Sequence, residues 1–209
     1  MTNFIPLFPL NVVVFPDEPL NLHIFEPRYI QLINDCLAQK QAFGIIHATE
    51  KGMQEVGTLV EIVELSKRYE NGEMDIKTKG DKVFRILHPV QDLPEKLYGG
   101  AIVHYPENHL IGNAFLGIKL LNLVRQLHAH LLVNKKMAKP DEALLSYDLA
   151  HHAGLSTEQE YELLTILNEL QRQEYLRQHL TQVLSMLKNM DSLKERIQLN
   201  GHFKNLKGF

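Results

Sequence analysis

At 209 residues, with 44% hydrophobic and 22% charged side chains, the chain is long enough for one large domain or two small ones around a sizeable core. A formal net charge of −3 removes any general attraction to polyphosphate or anionic lipid, and a single cysteine, Cys36, rules out an intrachain disulfide. The opening MTNFIPLFPL lacks the basic region and apolar core of a signal peptide, and no apolar run approaches the roughly 20 residues that cross a bilayer, so a cytoplasmic protein with no membrane partner is expected.

The first 30 residues are punctuated by Pro6, Pro9, Pro16, Pro19 and Pro27. Val12 to Phe15 are β-branched or aromatic and predict a strand that Pro16 stops. Leu20, Leu22 and Ile24 alternate with Asn21 and His23 and predict a second strand. Pro27 presets the first turn of a helix from Arg28 to Gln39, whose apolar face carries Tyr29, Leu32, Ile33, Cys36 and Leu37. Ala42 to Ala48 is a short strand, followed by a polar loop from Thr49 to Glu55. Residues 58–68 and 73–79 form two arms of a hairpin turned at Asn71-Gly72, both of which tolerate positive φ. Gly80-Asp81 breaks the pattern before a strand from Val83 to Leu87, and a last strand, AIVHY, follows Gly99-Gly100. At least six short strands with one interposed helix predict a curled sheet or partial barrel.

Near Asn108 the period changes. A helix is predicted from Ala114 to Val133 with a broad apolar stripe of Leu116, Leu120, Leu121, Leu123, Val124, Leu127 and Leu131. Pro140-Asp141 starts a second helix that Gly154 stops, and Ser156 with Gln159 has capping-box spacing for a third. A fourth helix starts at Asn168 and carries Leu176, Leu180, Val183, Leu187 and Met190. The pattern is weak from Asp191 onward. Three segments result: a β domain over 1–108, a helical subdomain over 109–190 and a tail over 191–209. Residues 1–106 hold 10 basic and 14 acidic side chains, and 107–209 hold 12 and 11, so the β half is the acidic one.

The order Pro6-Leu7, Phe8-Pro9-Leu10, Val14, Pro16, then Leu20-x-Leu22-x-Ile24, resembles the amino-terminal, substrate-binding domain of Lon-type ATP-dependent proteases. Phe25-Glu26-Pro27-Arg28-Tyr29 resembles the variant in free-standing members. Gly57 to Ile62, Gly80 to Leu87, Ser146 to Ala150 and Leu155 follow in the family's order, so the resemblance runs from about Phe4 to about Asn189. It implies an α+β architecture: a PUA-like curled sheet or pseudo-barrel with one interposed helix, followed by a carboxy-terminal helical bundle. It also implies a surface that holds unfolded or extended polypeptide segments, or a partner protein. The chain has no G-x-x-x-x-G-K-[ST] run, and the family's serine–lysine proteolytic domain has no counterpart in it. Neither an enzyme nor a cofactor is therefore expected.

The residues themselves offer little catalytic chemistry. His151 and His152 are adjacent on a predicted helix and diverge by about 100°, while His128 and His130 face opposite sides, so neither pair predicts a metal site. Cys36 lies among apolar helix positions, and no serine has a G-x-S-x-G elbow. The sharpest binding candidates are Phe25, Arg28 and Tyr29. In one reading the two aromatics form an apolar lip and Arg28 fixes a peptide backbone or carboxylate. In the other, Phe25 and Tyr29 are core, while Glu26 and Arg28 pair with each other at a helix start. RNA binding, common among PUA-like folds, is the alternative function; it is disfavoured by the acidic β half and by the lack of basic clusters interleaved with aromatics. A stand-alone hydrolase ranks below it.

Overall fold

The computed structural model describes residues 3–49 and 52–202. They divide into two compact units, one of residues 3–110 with 155–169, the other of 111–154 with 170–202. No helix among the described residues is long and apolar enough to cross a membrane.

The first unit is built on six strands: β1 (Asn3–Leu10), β2 (Pro19–Ile24), β3 (Phe43–Thr49), β4 (Gly52–Arg68), β5 (Met74–Val90) and β6 (Gly100–His104). Helix α1 (Pro27–Gln39) lies between β2 and β3 in the chain. The strand order is β2-β5-β4-β3-β1-β6, and β6 also pairs with β5, which closes a barrel. Only β1 and β3 run parallel. Closure uses the far half of β5, Arg85 to Val90, whereas its first half, Met74 to Lys79, pairs with β2 instead. The two 17-residue strands β4 and β5 therefore serve both the barrel and a three-stranded ribbon beyond it.

Alternation along β1 separates two cores. Ile5 and Leu7 join Leu59, Phe84, Ala101 and Val103 in one cluster. Phe8 turns the other way and meets Tyr29, Leu32, Ile33 and Cys36 of α1, together with Phe43, Ile45, Met74 and Ile76. Phe8 and Tyr29 make an edge-to-face pair with centroids 4.1 Å apart, a geometry that adds about 0.5–1.5 kcal/mol beyond area burial. The curled sheet and the α+β class expected from the sequence are present.

Several local expectations change. Val12 to Phe15 is not a strand; the first strand lies upstream and contains Pro6 and Pro9. Proline is tolerated there because each stretch of β1 is paired on one side only, residues 3–6 with β6 and 7–10 with β3. Val13, Val14 and Phe15 are buried all the same, and the loop is tied down by side chains. Thr58 donates to the Val14 carbonyl, and the Glu18 carboxylate accepts from the Phe15 amide at 2.8 Å.

Nor does Gly80 end a strand, since β5 runs straight through it. The glycine instead lets the loop come close, because a β-carbon there would run into the Phe15 carbonyl oxygen. Gly80 exchanges backbone bonds of 2.9 Å with Asp17 and Glu18. In the hairpin turn only Gly72 takes positive φ, at 89°, while Asn71 contributes a side-chain oxygen that accepts from the Glu73 amide. The supposed loop before Gly57 belongs to β4 from Gly52 onward.

Among the described residues the helical parts are α2 (Ala114–Leu131), a 3-10 turn (Asp141–Ala143), α3 (Ser146–Ala150), α4 (Thr157–Thr165) and α5 (Glu169–His202). The helix expected from Pro140 to Gly154 is broken at Leu144-Leu145. There the Asp148 carboxylate accepts from the Leu145 amide at 2.9 Å and starts a new helix. Ser156 and Gln159 do form a reciprocal capping box. α5 continues through 191–202, where Leu, Lys, Glu, Arg and Gln sustain it up to Gly201. The last part of the expected tail, 203–209, lies outside the described residues.

In the second unit Leu120, Leu121, Val124 and Leu127 of α2 are buried, as are Tyr147, Leu149 and Ala150 of α3 and Leu176, Leu180 and Leu184 of α5. Arg172 is buried with them, its guanidinium 4.0 Å over the Tyr147 ring and its Nε donating to Ser146 Oγ at 3.0 Å. The apolar seam expected along α5 leaves the core near its end, since Met190 is 54% exposed.

Candidate functional site

In the first unit a cleft of about 250 Å³ is lined by Leu7 and Pro9 of β1, Arg28 and Tyr29 of α1, Met53 of β4, and the stretches Pro89 to Gln91 and Leu97 to Gly100. Its lip is apolar and open to solvent: Leu97 is 64% exposed and Met53 46%. Large exposed aliphatic side chains are common singly, but here they border one concave surface.

Leu97 is held in place by α1. Gln31 accepts from the Leu97 amide at 2.7 Å and donates to the Glu95 carbonyl at 2.9 Å. One turn on, Asp35 Oδ2 accepts from Lys96 Nζ and from the Tyr98 hydroxyl, each at 2.8 Å. Two polar residues four apart on a helix share a face, so Gln31 and Asp35 grip the loop from one side. The hydrogen bond from Lys96, helped by that from Tyr98, holds the Asp35 carboxyl below its usual range. Burial, followed by the bond to Asp35, pushes the Tyr98 phenol well up.

Of the three residues singled out in the sequence, two line this cleft. Tyr29 is buried at its wall, and Arg28 lies over the Tyr29 ring with 4.5 Å from guanidinium carbon to centroid. Arg28 also pairs with Glu26, at 3.0 Å from Nε and 2.8 Å from a terminal nitrogen. Phe25 is elsewhere: it is 60% exposed and stacks on His23 with centroids 6.1 Å apart. His23 in turn binds Asp75 at 2.7 Å, and Asp75 accepts from the Tyr69 hydroxyl at 2.7 Å. Sequence reasoning missed Met53 and Leu97. Neither sits in a periodic pattern, and only the bonds from Gln31 and Asp35 reveal that the loop is fixed.

The arrangement offers little for bond-breaking chemistry. Burial, and to a lesser degree the Asp35 charge, pushes the Cys36 thiol up to about 12, so it carries almost no thiolate at neutral pH. Among the described residues no group of three or more His, Cys, Asp or Glu side chains is placed to hold a metal. His128 and His152, far apart in sequence, do come together with ring centroids 5.3 Å apart. Burial, then the Lys135 ammonium and the His128 and His151 rings, holds His152 down to about 4. Comparing only chain neighbours could not reveal that pair.

Comparison with known proteins agrees with this picture. Residues 5–182 match the model of the ATP-dependent protease La (LON) substrate-binding domain. A Lon N-terminal domain protein from Xanthomonas campestris superposes with a TM-score of 0.64 at 24% identity, covering 83% of this chain and 96% of that one. The N-terminal domain of Mycobacterium avium complex Lon protease gives 0.63 at 14% identity, covering 86% and 98%. These two structures share the fold, and the family match takes in most of both units. The chain belongs to the Lon substrate-binding domain family, and it is a substrate-recognition module.

Proposed function

We propose that the chain holds unfolded or extended segments of other proteins by seating an apolar side chain in the cleft bordered by Met53 and Leu97. The observation that carries this reading is the rigid display of Leu97 by Gln31 and Asp35. A loop fixed by four hydrogen bonds while its largest aliphatic side chain faces solvent suits a surface built to be covered by something else. At about 250 Å³ the cleft is smaller than the roughly 300–1,000 Å³ of small-molecule pockets, and its size suits one side chain of a longer ligand. Arg28 and Tyr29 stand at its wall to meet the backbone of that ligand, whereas Phe25 would contact a segment running past His23. The cleft assigns recognition to the β domain over 1–108, apart from the helical subdomain over 109–190 and the tail over 191–209. Recognition, not bond cleavage, is the work of these residues, and the setting is the reducing cytoplasm.

The test is fluorescence anisotropy with a labelled, reduced and carboxymethylated polypeptide that cannot fold. Covering each of Met53 and Leu97 is worth about 1–1.5 kcal/mol at roughly 25 cal/mol per Å² of apolar area. The pair Met53→Asp and Leu97→Asp should therefore weaken binding by about 30-fold or more. Unchanged affinity in that variant, or preference for single-stranded RNA with a steep salt dependence, would overturn the reading.

A further inference from the structure

In the second unit a cavity of about 490 Å³ opens beside the start of α2, with Ile118, Leu121, Leu144 and Leu145 among its apolar lining. Gln173 of α5 lines it too and is only 5% exposed. Its orientation is fixed by chemistry: the Asn113 amide can only donate, so the Gln173 atom it meets at 2.9 Å must be the carbonyl oxygen Oε1. The NH2 end therefore points the other way, and among the described residues Nε2 has no hydrogen-bond partner. It stands 3.6 Å from where a β-carbon on Gly117 would be. A donor that faces the cavity with no acceptor among the described residues is open to an acceptor that a ligand brings.

Gly117 supplies a second observation. It sits in the first turns of α2 with an ordinary helical φ, and its amide bonds to the Asn113 carbonyl at 2.9 Å. Nothing closer than 3.6 Å would meet a side chain there, and alanine is favoured over glycine within a helix. Neither backbone conformation nor packing asks for glycine. What its missing side chain does leave is open space in front of the Gln173 amide.

The rim does not favour an anion, because one terminal nitrogen of Arg125 is already bonded to both Asp141 carboxylate oxygens at 2.9 and 2.8 Å and the Glu142 carboxylate also lines the cavity. Ile118 of the lining is 62% exposed, and Phe115, three residues before it on the same helix face, is 86% exposed. A neutral ligand that brings apolar side chains together with a carbonyl acceptor fits these features, and an extended polypeptide is such a ligand.

We infer that this cavity is a second polypeptide subsite, in which a backbone carbonyl accepts from Gln173 Nε2 while a neighbouring apolar side chain lies over Leu121 and Leu145. It rests on the reading that the chain binds extended polypeptide, and it assigns to the helical unit a contact of its own.

The test is a 1H–15N NMR titration of the full chain with an acetylated, amidated nonapeptide carrying Leu-Phe at its centre and Gly/Ser flanks. Saturable shifts of the Gly117 amide and the Gln173 side-chain NH2 are expected. Gly117→Val, which fills the space, should weaken those shifts at least tenfold while shifts at Leu97 persist. Gly117→Ala provides a variant that keeps the helix intact and should weaken them less. Shifts confined to Leu97 and its neighbours would overturn the second subsite and leave the cleft reading standing. No shifts anywhere would overturn both, and shifts at Gln173 that survive Gly117→Val would overturn the assigned position.

Discussion

Replacing Gln31 with alanine loosens the display of Leu97 while leaving the core of the fold untouched. The substitution removes the acceptor for the Leu97 amide, at 2.7 Å, and the donor to the Glu95 carbonyl, at 2.9 Å. Each bond contributes about 1 kcal/mol net, so the loop loses about 2 kcal/mol of local stability. Lys96 and Tyr98 remain tied to Asp35, which keeps the loop attached at its far end. Amide hydrogen exchange at Leu97 should then speed by about 30-fold, since 1.4 kcal/mol corresponds to a factor of ten. Reordering the freed residues costs about 1–2 kcal/mol of backbone entropy for each one fixed, so affinity for unfolded polypeptide should fall about tenfold. The unfolding midpoint should fall by no more than about 4–8 °C, which leaves the fold intact at the temperature of the binding assay. Faster exchange at Leu97 with undiminished affinity would show that the fixed loop is irrelevant to binding. Unchanged exchange would show that Gln31 does not hold it.

Other consequences can be checked on stability. Gly80→Ala should cost about 3 kcal/mol and lower the melting temperature by roughly 10 °C, because the new β-carbon meets the Phe15 backbone; a shift within error would refute that close approach. His152 titrates near 4 when folded against 6.5 in the unfolded chain, so between those values the unfolded state binds the extra proton. Stability should therefore drop as pH falls through that window and level off below it. His152→Gln should flatten this dependence in urea melts at pH 7 and pH 5, and an unaltered slope would count against it. Cys36, 2% exposed, should resist a thiol reagent in native buffer and react only on unfolding, as followed by absorbance of the released chromophore.

The sequence was most legible where periodicity and capping act locally. The face of α1, the Ser156–Gln159 capping box and the alternation of β2 depend on neighbours a few residues away, and all are present. It misled where tertiary partners override local preference. Val12 to Phe15 has strong strand propensity, yet Thr58 and Glu18 satisfy its backbone outside any ladder. Pro6 and Pro9 look like strand breakers, but one-sided pairing admits them. The cleft was half legible: Arg28 and Tyr29 stood out as an aromatic–arginine cluster, whereas Met53 and Leu97 are joined to them only by the fold. The Gln173 amide gave no signal at all, since its meaning lies in which end faces Asn113.

The way β6 closes the barrel has a consequence for how the molecule is made. β4 and β5 meet across the short turn around Asn71-Gly72, whereas Asn3 must find Val103. Loop-closure entropy makes that long-range seam costlier by about 2.7 kcal/mol, so on a nascent chain it forms late. Until it does, Ile5, Leu7 and Phe84 lie bare beside unpaired strand edges. On the proposed reading, a half-made copy thus offers the kind of segment that the cleft of a finished copy would hold. On that reading, synthesis at high concentration would set newborn chains against mature ones until the pairing of Gly100 to His104 covers these side chains.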